Sequence, residues 1–480
     1  MTITEIVVLA IYNGALFLLA VYGLHRLYLV RLRGTDPSHG SSRAAAQNPH
    51  WPSITVQLPV YNESNVVARL IDSAAAINYP GPLEIQLLDD STDETSAIAA
   101  ERIAAHAKAG VRIRHVRRST RDGFKAGALA HGMSLSDSEL LAVFDADFVP
   151  ASDVLMKMVP AFEDPAVGMV QARWGHLNRT ESLLTAVQAI YLDGHFAVES
   201  AARCRNELFF NFNGSAGIWR RAAISDAGGW SAETLTEDLD LSYRAQLAGW
   251  RFVFLPQVEV CAELPGSLSA LQQQQRRWAK GSIQTARRIL PSLLKTHLPR
   301  GMKIEAWFHL TGNLAYVLTT ATAVLVVPVI VIRRNFSLDW LAIIDFILIA
   351  ISTGSVLRFY LAGQRLNARA DPPMRELLGT LPLGIAISLS NTVAVIEGCF
   401  LRAGTFARTP KSGGRSIRPT AAIWPVAETA LAMFFTAAVA TLISTGQWVA
   451  LPLLSLFLAG YGYAAAGHFR WCQPRATKHA

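Results

Sequence analysis

Cysteine is scarce in this sequence: four in 480 residues, at positions 204, 261, 399 and 472. They stand too far apart for the ligand spacing of a zinc site, and so few thiols fit a reduced compartment rather than a disulfide scaffold. Charged residues are also thin, 17% against 51% hydrophobic, and the 36 acidic residues are outnumbered by 44 lysines and arginines. The net charge of +8 is scattered among apolar runs and loops, and no recognition module accompanies it, so no nucleic acid is expected as a partner. No internal repeat or extended low-complexity segment interrupts the chain. The positive excess reads instead as membrane topology, with anionic lipid and phosphate as secondary partners.

Uninterrupted apolar sequence is abundant. Residues 3 to 24 carry Glu5 as their only charge, and two further pairs of runs follow, 308 to 332 with 338 to 361, and 422 to 444 with 448 to 468. Each approaches the roughly 20 residues needed to cross a bilayer. The first run has no basic flank before it, while Arg26, Arg31 and Arg33 follow, so it reads as an uncleaved span with its amino end outside. The region from about 33 to 303 is then expected in the cytosol, and the chain in the inner (plasma) membrane. A further run, 377 to 401, contains Ser388, Ser390, Asn391, Thr392 and Glu397 and precedes the basic stretch "FARTPKSGGRSIR". It either spans or lies in the interface. The interfacial reading is preferred and gives about five spans with the carboxyl end inside, although Arg333 and Arg334 in the short outer loop count against it.

Between the first two spans the pattern changes. "ITVQLPVY" (54 to 61), "LEIQLLDDS" (83 to 91), "VRIRHVRR" (111 to 118) and "LLAVFDAD" (140 to 147) are short apolar or β-branched runs separated by alanine-rich helical stretches. This alternation predicts an α/β domain with a mostly parallel sheet, helices on both faces and ligands at the carboxyl ends of the strands. Three strand ends are polar: Asn62 and Glu63, Asp89 and Asp90, Asp145 and Asp147.

In "FDADF", strand alternation would point Asp145 and Asp147 the same way, toward one Mg2+ or Mn2+ ion shared with substrate phosphate. The plainer alternative is two acidic residues closing a strand at the surface. "TEDLDLSYRAQLAGW" predicts a helix with Thr236 at its N-cap, Glu237 and Asp238 in its first turn and Gly249 as its stop. Acidic residues there suit the helix dipole without any catalytic duty, and equally a carboxylate so fixed can take a proton from a sugar hydroxyl. "QQQQRRWAKGS", 272 to 282, borders the membrane runs. If helical, it brings Gln274, Arg277 and Trp278 onto one face, where an amide, a phosphate-matching guanidinium and a flat ring converge. An amphipathic interfacial helix is the alternative.

Together "LPVYNE", "DDS", "FDADF", "FNGSAGIWRR", "TED" and "QQRRW", in this order and framed by spans, resemble the processive glycosyltransferase family 2 enzymes, the group of cellulose, chitin and hyaluronan synthases. "QLPVYNE", "LDDSTDET", "FNGSAGIWR" and "FARTPK" look most like the glucomannan and mannan synthases of the cellulose synthase-like group and their bacterial relatives. The resemblance is dense over about 50 to 300 and looser to 415. It implies a GT-A type glycosyltransferase domain inserted in a transmembrane bundle. The expected divisions are a membrane helix (1–33), a linker (34–52), the GT-A domain (53–265), amphipathic helices with Q-x-x-R-W (266–303), a membrane hairpin (304–364), an interfacial helix with a gating-like loop (372–420), a second hairpin (421–470) and a cytosolic tail (471–480).

The resemblance also implies roles. Asp89 or Asp90, with Tyr61 and Glu63, would hold the base and ribose of a nucleotide-sugar; Asp145 and Asp147 would bind the metal on its diphosphate, and Lys125 would reach the same nucleotide. Asp238 would be the general base. Arg277 would support the leaving diphosphate, while Asn213, Gly214, Ser215, Glu237, Gln274 and Trp278 would line the acceptor site. Phe406, Thr409 and Lys411 match a loop that covers the loaded donor. Asn213 departs from the cysteine usual in cellulose synthases, which leaves the sugar open between GDP-mannose and UDP-glucose as donors. The acceptor would be a growing polysaccharide, passed along a membrane path for which Asn313, Thr319, Thr320 and Asp345 are candidates; those residues could equally pair within the bundle. No cyclic-dinucleotide receptor domain is expected after the last span. A non-processive enzyme making a glycolipid, or an inactive nucleotide-binding membrane protein, are the alternatives.

Overall fold

The apolar runs of the central region become parallel strands because both faces of each are covered. The computed structural model describes residues 1–34, 51–367, 372–401, 423–446 and 448–472. Seven strands form one sheet: β1 (Ile54–Val60), β2 (Leu83–Asp89), β3 (Ile113–Arg117), β4 (Leu140–Val143), β5 (Val167–His176), β6 (Gly217–Arg220) and β7 (Arg251–Ala262), in the order β3-β2-β1-β4-β6-β5-β7. β1 to β4 run parallel, and so do β5 and β7; β6 alone is antiparallel to its neighbours. Alternation along the β4 segment sends Leu140, Ala142 and Phe144 into the core on one side, and Leu141 and Val143 into the core on the other. Polar residues inside the sheet are satisfied only in part: Thr55 Oγ1 pairs with Ser136 Oγ at 2.6 Å and Gln57 Nε2 donates to the Leu129 carbonyl at 3.3 Å, whereas Gln57 Oε1 and Gln86 Nε2 are buried without a partner.

From β1 the chain builds outward through β2 and β3, then returns to place β4 on the other side of β1. The strand order therefore reverses between β1 and β4, the point at which open α/β sheets leave a crevice at their carboxyl ends. One expectation is corrected there. β4 ends at Val143, so Asp145 and Asp147 are not on a strand, and period-two alternation does not aim them. They sit in a turn closed by the Phe148 N–H on the Asp145 carbonyl (3.0 Å), where the Asp145 N–H is taken by the Ser215 hydroxyl (2.9 Å).

Among the described residues, four helices are long and apolar enough to cross a membrane: Ile3–Arg33, Leu314–Asn335, Asp339–Leu366 and Pro425–Ser444. Leu451–Gly467 is apolar but shorter. The 377 to 401 run is two helices, Met374–Ala386 and Ser388–Phe400, bent by 50° at their junction. Small residues let these helices meet closely: a Cβ on Gly23 would lie 3.0 Å from the Ser352 Cα, and one on Gly363 would lie 2.8 Å from the Gly194 Cα of the α/β domain. Asp345 is held by Arg333 at 2.6 Å and by the Tyr12 hydroxyl at 3.0 Å, while Thr320 pairs with Thr392 at 2.8 Å and Thr319 bonds its own helix at Ala315 O. Asn313 stands at the helix start before Leu314. The linker, the gating-like loop with Phe406, Thr409 and Lys411, and the tail from 473 lie outside the described residues.

Candidate active site

At the switch point, one cavity is lined by Lys125, Asp145, Asp147, Asn213, Gly214, Glu237, Asp238, Gln274, Arg277 and Trp278. A second opens from it, shares Lys125, Asp145, Asp147 and Arg277, and continues to Tyr61, Glu63, Asp90 and Arg121. Five separate segments supply the side chains named in the first cavity, and the ends of β1 and β2 and the loop carrying Arg121 add those of the second.

The "FNGSAG" loop gets its shape from Gln171 on β5, whose side chain is fully buried. Its Oε1 accepts from the Asn213 N–H (2.9 Å), and its Nε2 donates to the Ser215 and Ala216 carbonyls (3.0 and 3.1 Å). Two residues of the loop have left-handed backbones, Gly214 (φ 82°) and Ala216 (φ 56°). Glycine is demanded at 214 on two counts, since a Cβ there would also stand 2.9 Å from Asp238 Oδ2. Lys125 lies in the first turn of the helix Phe124–Ser134 and bridges the loop to the acidic turn: its ammonium donates to Asp145 and to the Gly214 carbonyl (2.8 Å). Ser215, expected on the acceptor side, is instead fully buried, with its hydroxyl holding the Asp145 N–H.

Asp238 occupies the first turn of the helix Glu237–Leu247, as expected. Thr236 is at the N-cap position but makes no side-chain cap; its hydroxyl meets Thr285 Oγ1 at 3.2 Å instead. Burial raises the Asp238 carboxyl to about 7; neighbouring Glu237 adds to the rise and Lys125 opposes it. Burial likewise lowers the Arg277 guanidinium, against the pull of Glu237, Asp145, Asp238 and Asp147.

The stretch "QQQQRRWAKGS" belongs to a 28-residue helix, Leu268–Lys295, and its residues divide by helical period. On one face Gln272 donates to Glu428 (2.8 Å), Arg276 reaches the Ser390 carbonyl (2.7 Å) and Glu397 (3.2 Å), and Lys280 reaches Glu397 (3.1 Å). That face docks the helix on the bent pair and on the carboxyl-terminal apolar helices. Gln274, Arg277 and Trp278 face the cavity. Gly281 completes the arrangement: a Cβ there would lie 2.6 Å from Thr236 Cγ2, so its absence lets the "TED" turn rest directly on this helix.

Of the two strand-end aspartates of "DDS", only Asp90 lines the cavity. Asp89 is buried, and although burial opposes its charge, bonds from His115, Ser96 and Ser91 hold it well below the usual carboxylate range. Asp90 is clasped by Arg118 through Nε (3.0 Å) and Nη2 (2.5 Å). Three features went unread in the sequence. Arg121 stacks over Tyr61, its guanidinium 3.4 Å from the ring centroid. His195, in a π-helical turn at His195–Ser200, meets Asn213 Oδ1 at 2.8 Å. Tyr191 and His176 line the cavity on the side of the apolar helices. The position of Arg121 three residues before "FKAG" was the available signal for the first; no local pattern marks a π turn.

Two carboxylates on one cavity wall suit a hard cation whose other positions are filled by phosphate oxygens and water. Among the described residues no group of three or more His, Cys, Asp or Glu could enclose a metal by itself.

Residues 52–281 match the family model described as "Glycosyltransferase like family 2". A probable glucomannan 4-beta-mannosyltransferase of Oryza sativa subsp. japonica is 42% identical over 269 residues, 55% of this chain and 45% of the relative. A glucomannan 4-beta-mannosyltransferase of Arabidopsis thaliana is 37% identical over 307 residues, 62% of this chain and 57% of its own. The chain thus spans about half the length of these curated relatives. Among solved structures, a mannosyltransferase from Pyrobaculum calidifontis in complex with GDP-Man and Mn2+ shares the fold, with a TM-score of 0.54, 19% identity, and coverage of 76% of this chain and 98% of that one. Residues 52–281 are thus similar to glycosyltransferase family 2 and, within it, to glucomannan mannosyltransferases.

Proposed function

We propose that this chain is a membrane-embedded, inverting, processive β-glycosyltransferase that adds β-1,4-linked mannosyl units from GDP-mannose to a growing polysaccharide, with UDP-glucose as the competing donor. The observation that carries the reading is the convergence of Lys125, Asp145, Asp147, Asp238, Arg277 and Trp278 on one cavity. The names of the mannosyltransferase relatives support the sugar.

Asp238 takes the proton from the acceptor hydroxyl, which attacks the anomeric carbon from the face opposite the diphosphate. The bond to the nucleoside diphosphate breaks as the new one forms, so an α-linked donor yields a β-linked product. Negative charge grows on the leaving phosphate, where Arg277 and Lys125 already stand fixed and offset it without reorganisation. Trp278 offers a flat apolar face to the CH-rich side of the acceptor sugar. Asp145 and Asp147 are the residues that would hold Mg2+ or Mn2+, which would supply positive charge to the diphosphate. The acceptor then lies toward Tyr191 and the apolar helices, and the catalytic face is cytosolic, as Arg26, Arg31 and Arg33 after the first span favour. Translocation of the product through the bundle belongs to the same proposal.

Membranes containing the chain are to be incubated with labelled GDP-mannose or UDP-glucose, and the products sized and digested with linkage-specific hydrolases. A β-mannanase-sensitive ladder is the expected result. A single glycolipid band would replace the processive reading with single-sugar transfer, and no transfer from either donor would end the proposal.

A further inference from the structure

The cavity that runs from the Asp145–Asp147 turn to Tyr61 ends in a mixed set of charges. Arg121 lies on one side, its guanidinium packed flat on Tyr61 at 3.4 Å and 5.0 Å from the Phe124 ring centroid. The carboxylates of Glu63 and Asp90 line the same space, between the apolar walls of Pro59, Val60, Leu88 and Ala128. Asp90 is fixed by Arg118, and Arg118 in turn donates to the Asp122 and Phe124 carbonyls at 2.8 and 3.0 Å, which pins the loop carrying Arg121. An arginine and carboxylates are thus presented from a braced loop and from two strand ends, at the far end of a space whose near end holds Lys125, Asp145, Asp147 and Arg277.

We infer that Arg121 is the residue that selects the donor's base, and that it selects guanine over uracil. This rests on the reading of the cavity as a nucleotide-sugar site and deepens it. Guanine carries two adjacent acceptors, N7 and O6, which match the fork of a guanidinium, and Arg is the commonest partner of that edge. Its neighbouring edge carries the N1–H and N2–H donors, which match a carboxylate. Uracil offers a single N–H flanked by two carbonyl oxygens, so carboxylates on its edge would confront acceptors and an arginine fork would find one oxygen. The apolar walls suit the faces of either base and do not discriminate. Only the charged groups do, and of the two arginines near this end Arg118 clasps Asp90 while Arg121 lines the cavity.

The test is calorimetric titration of GDP and UDP, each with saturating Mn2+, into the purified full chain in lipid nanodiscs. Wild type is compared with Arg121→Lys, which keeps the charge without the fork, and Arg121→Gln, which loses both; melting temperatures check that all three are folded. Wild type is expected to bind GDP more tightly than UDP. Arg121→Lys and Arg121→Gln are expected to weaken GDP about ten- to a hundredfold, the worth of one bidentate base contact, while UDP stays within about twofold. Equal losses for both nucleotides, or unchanged GDP binding, overturn the assignment of Arg121. A wild-type preference for UDP overturns the guanine inference and leaves the transferase reading standing. Binding of neither nucleotide overturns both.

Discussion

Asp238 carries the sharpest consequences at the scale of single residues. Asp238→Asn preserves the shape of the cavity but removes the proton acceptor, so turnover should fall about 100- to 10,000-fold while GDP binding, followed by calorimetry, stays near wild type. Retention of turnover would remove Asp238 as the base. Its carboxyl, raised to about 7 by burial and then by Glu237, is protonated and idle on the acid side of that value. The rate should therefore drop as pH falls through the neighbourhood of 7. Glu237→Gln removes one of the charges that raise it, so the acid limb should move to lower pH; a limb that stays in place or moves upward would show that another group sets it. Asp145 and Asp147 share the cavity wall, and Asp145→Ala should abolish the gain in GDP affinity that Mn2+ gives the wild type. An unchanged gain would argue against the metal site.

At the scale of elements, the contact between the "TED" turn and the long helix depends on Gly281, where even a methyl would meet the Thr236 backbone N at 2.9 Å. Gly281→Ala should push the two apart at a cost of about 1–3 kcal/mol, the usual range for overpacking. It should lower the melting temperature and reduce turnover more than GDP binding. Gly301→Ala, where a Cβ meets nothing within 4 Å, is the control and should do neither. Elements differed in how plainly the sequence announced them. β1 and β4 were legible because a strand buried on both faces reads as a mostly apolar run, even with Thr55 and Gln57 inside β1. The antiparallel β6, four residues long, left no such trace, and "FDAD" read as strand because its apolar residues continue the alternation two positions past the last ladder bond. The site residues were legible as motifs, yet the roles of Ser215 and Asp89 were not, because burial behind a turn is decided by neighbours distant in the chain.

The whole molecule joins an α/β domain to a bundle of apolar helices, and the sequence announced that division through run length alone. The bent run was the exception: hydropathy registers neither the 50° break between Met374–Ala386 and Ser388–Phe400 nor the contacts of Arg276 and Lys280 with Glu397 in the second of these helices. The join itself has a consequence. Where Gly194 of the catalytic domain crosses Gly363, backbone rests on backbone with no side chain between. The Phe359 and Tyr360 rings of the same helix close on Gly194 as well, so a side chain at either glycine would have to part the two elements. Under the proposed reaction, the spacing between the transfer site and the apolar helices is thus set by two glycines, and a methyl at either should alter it.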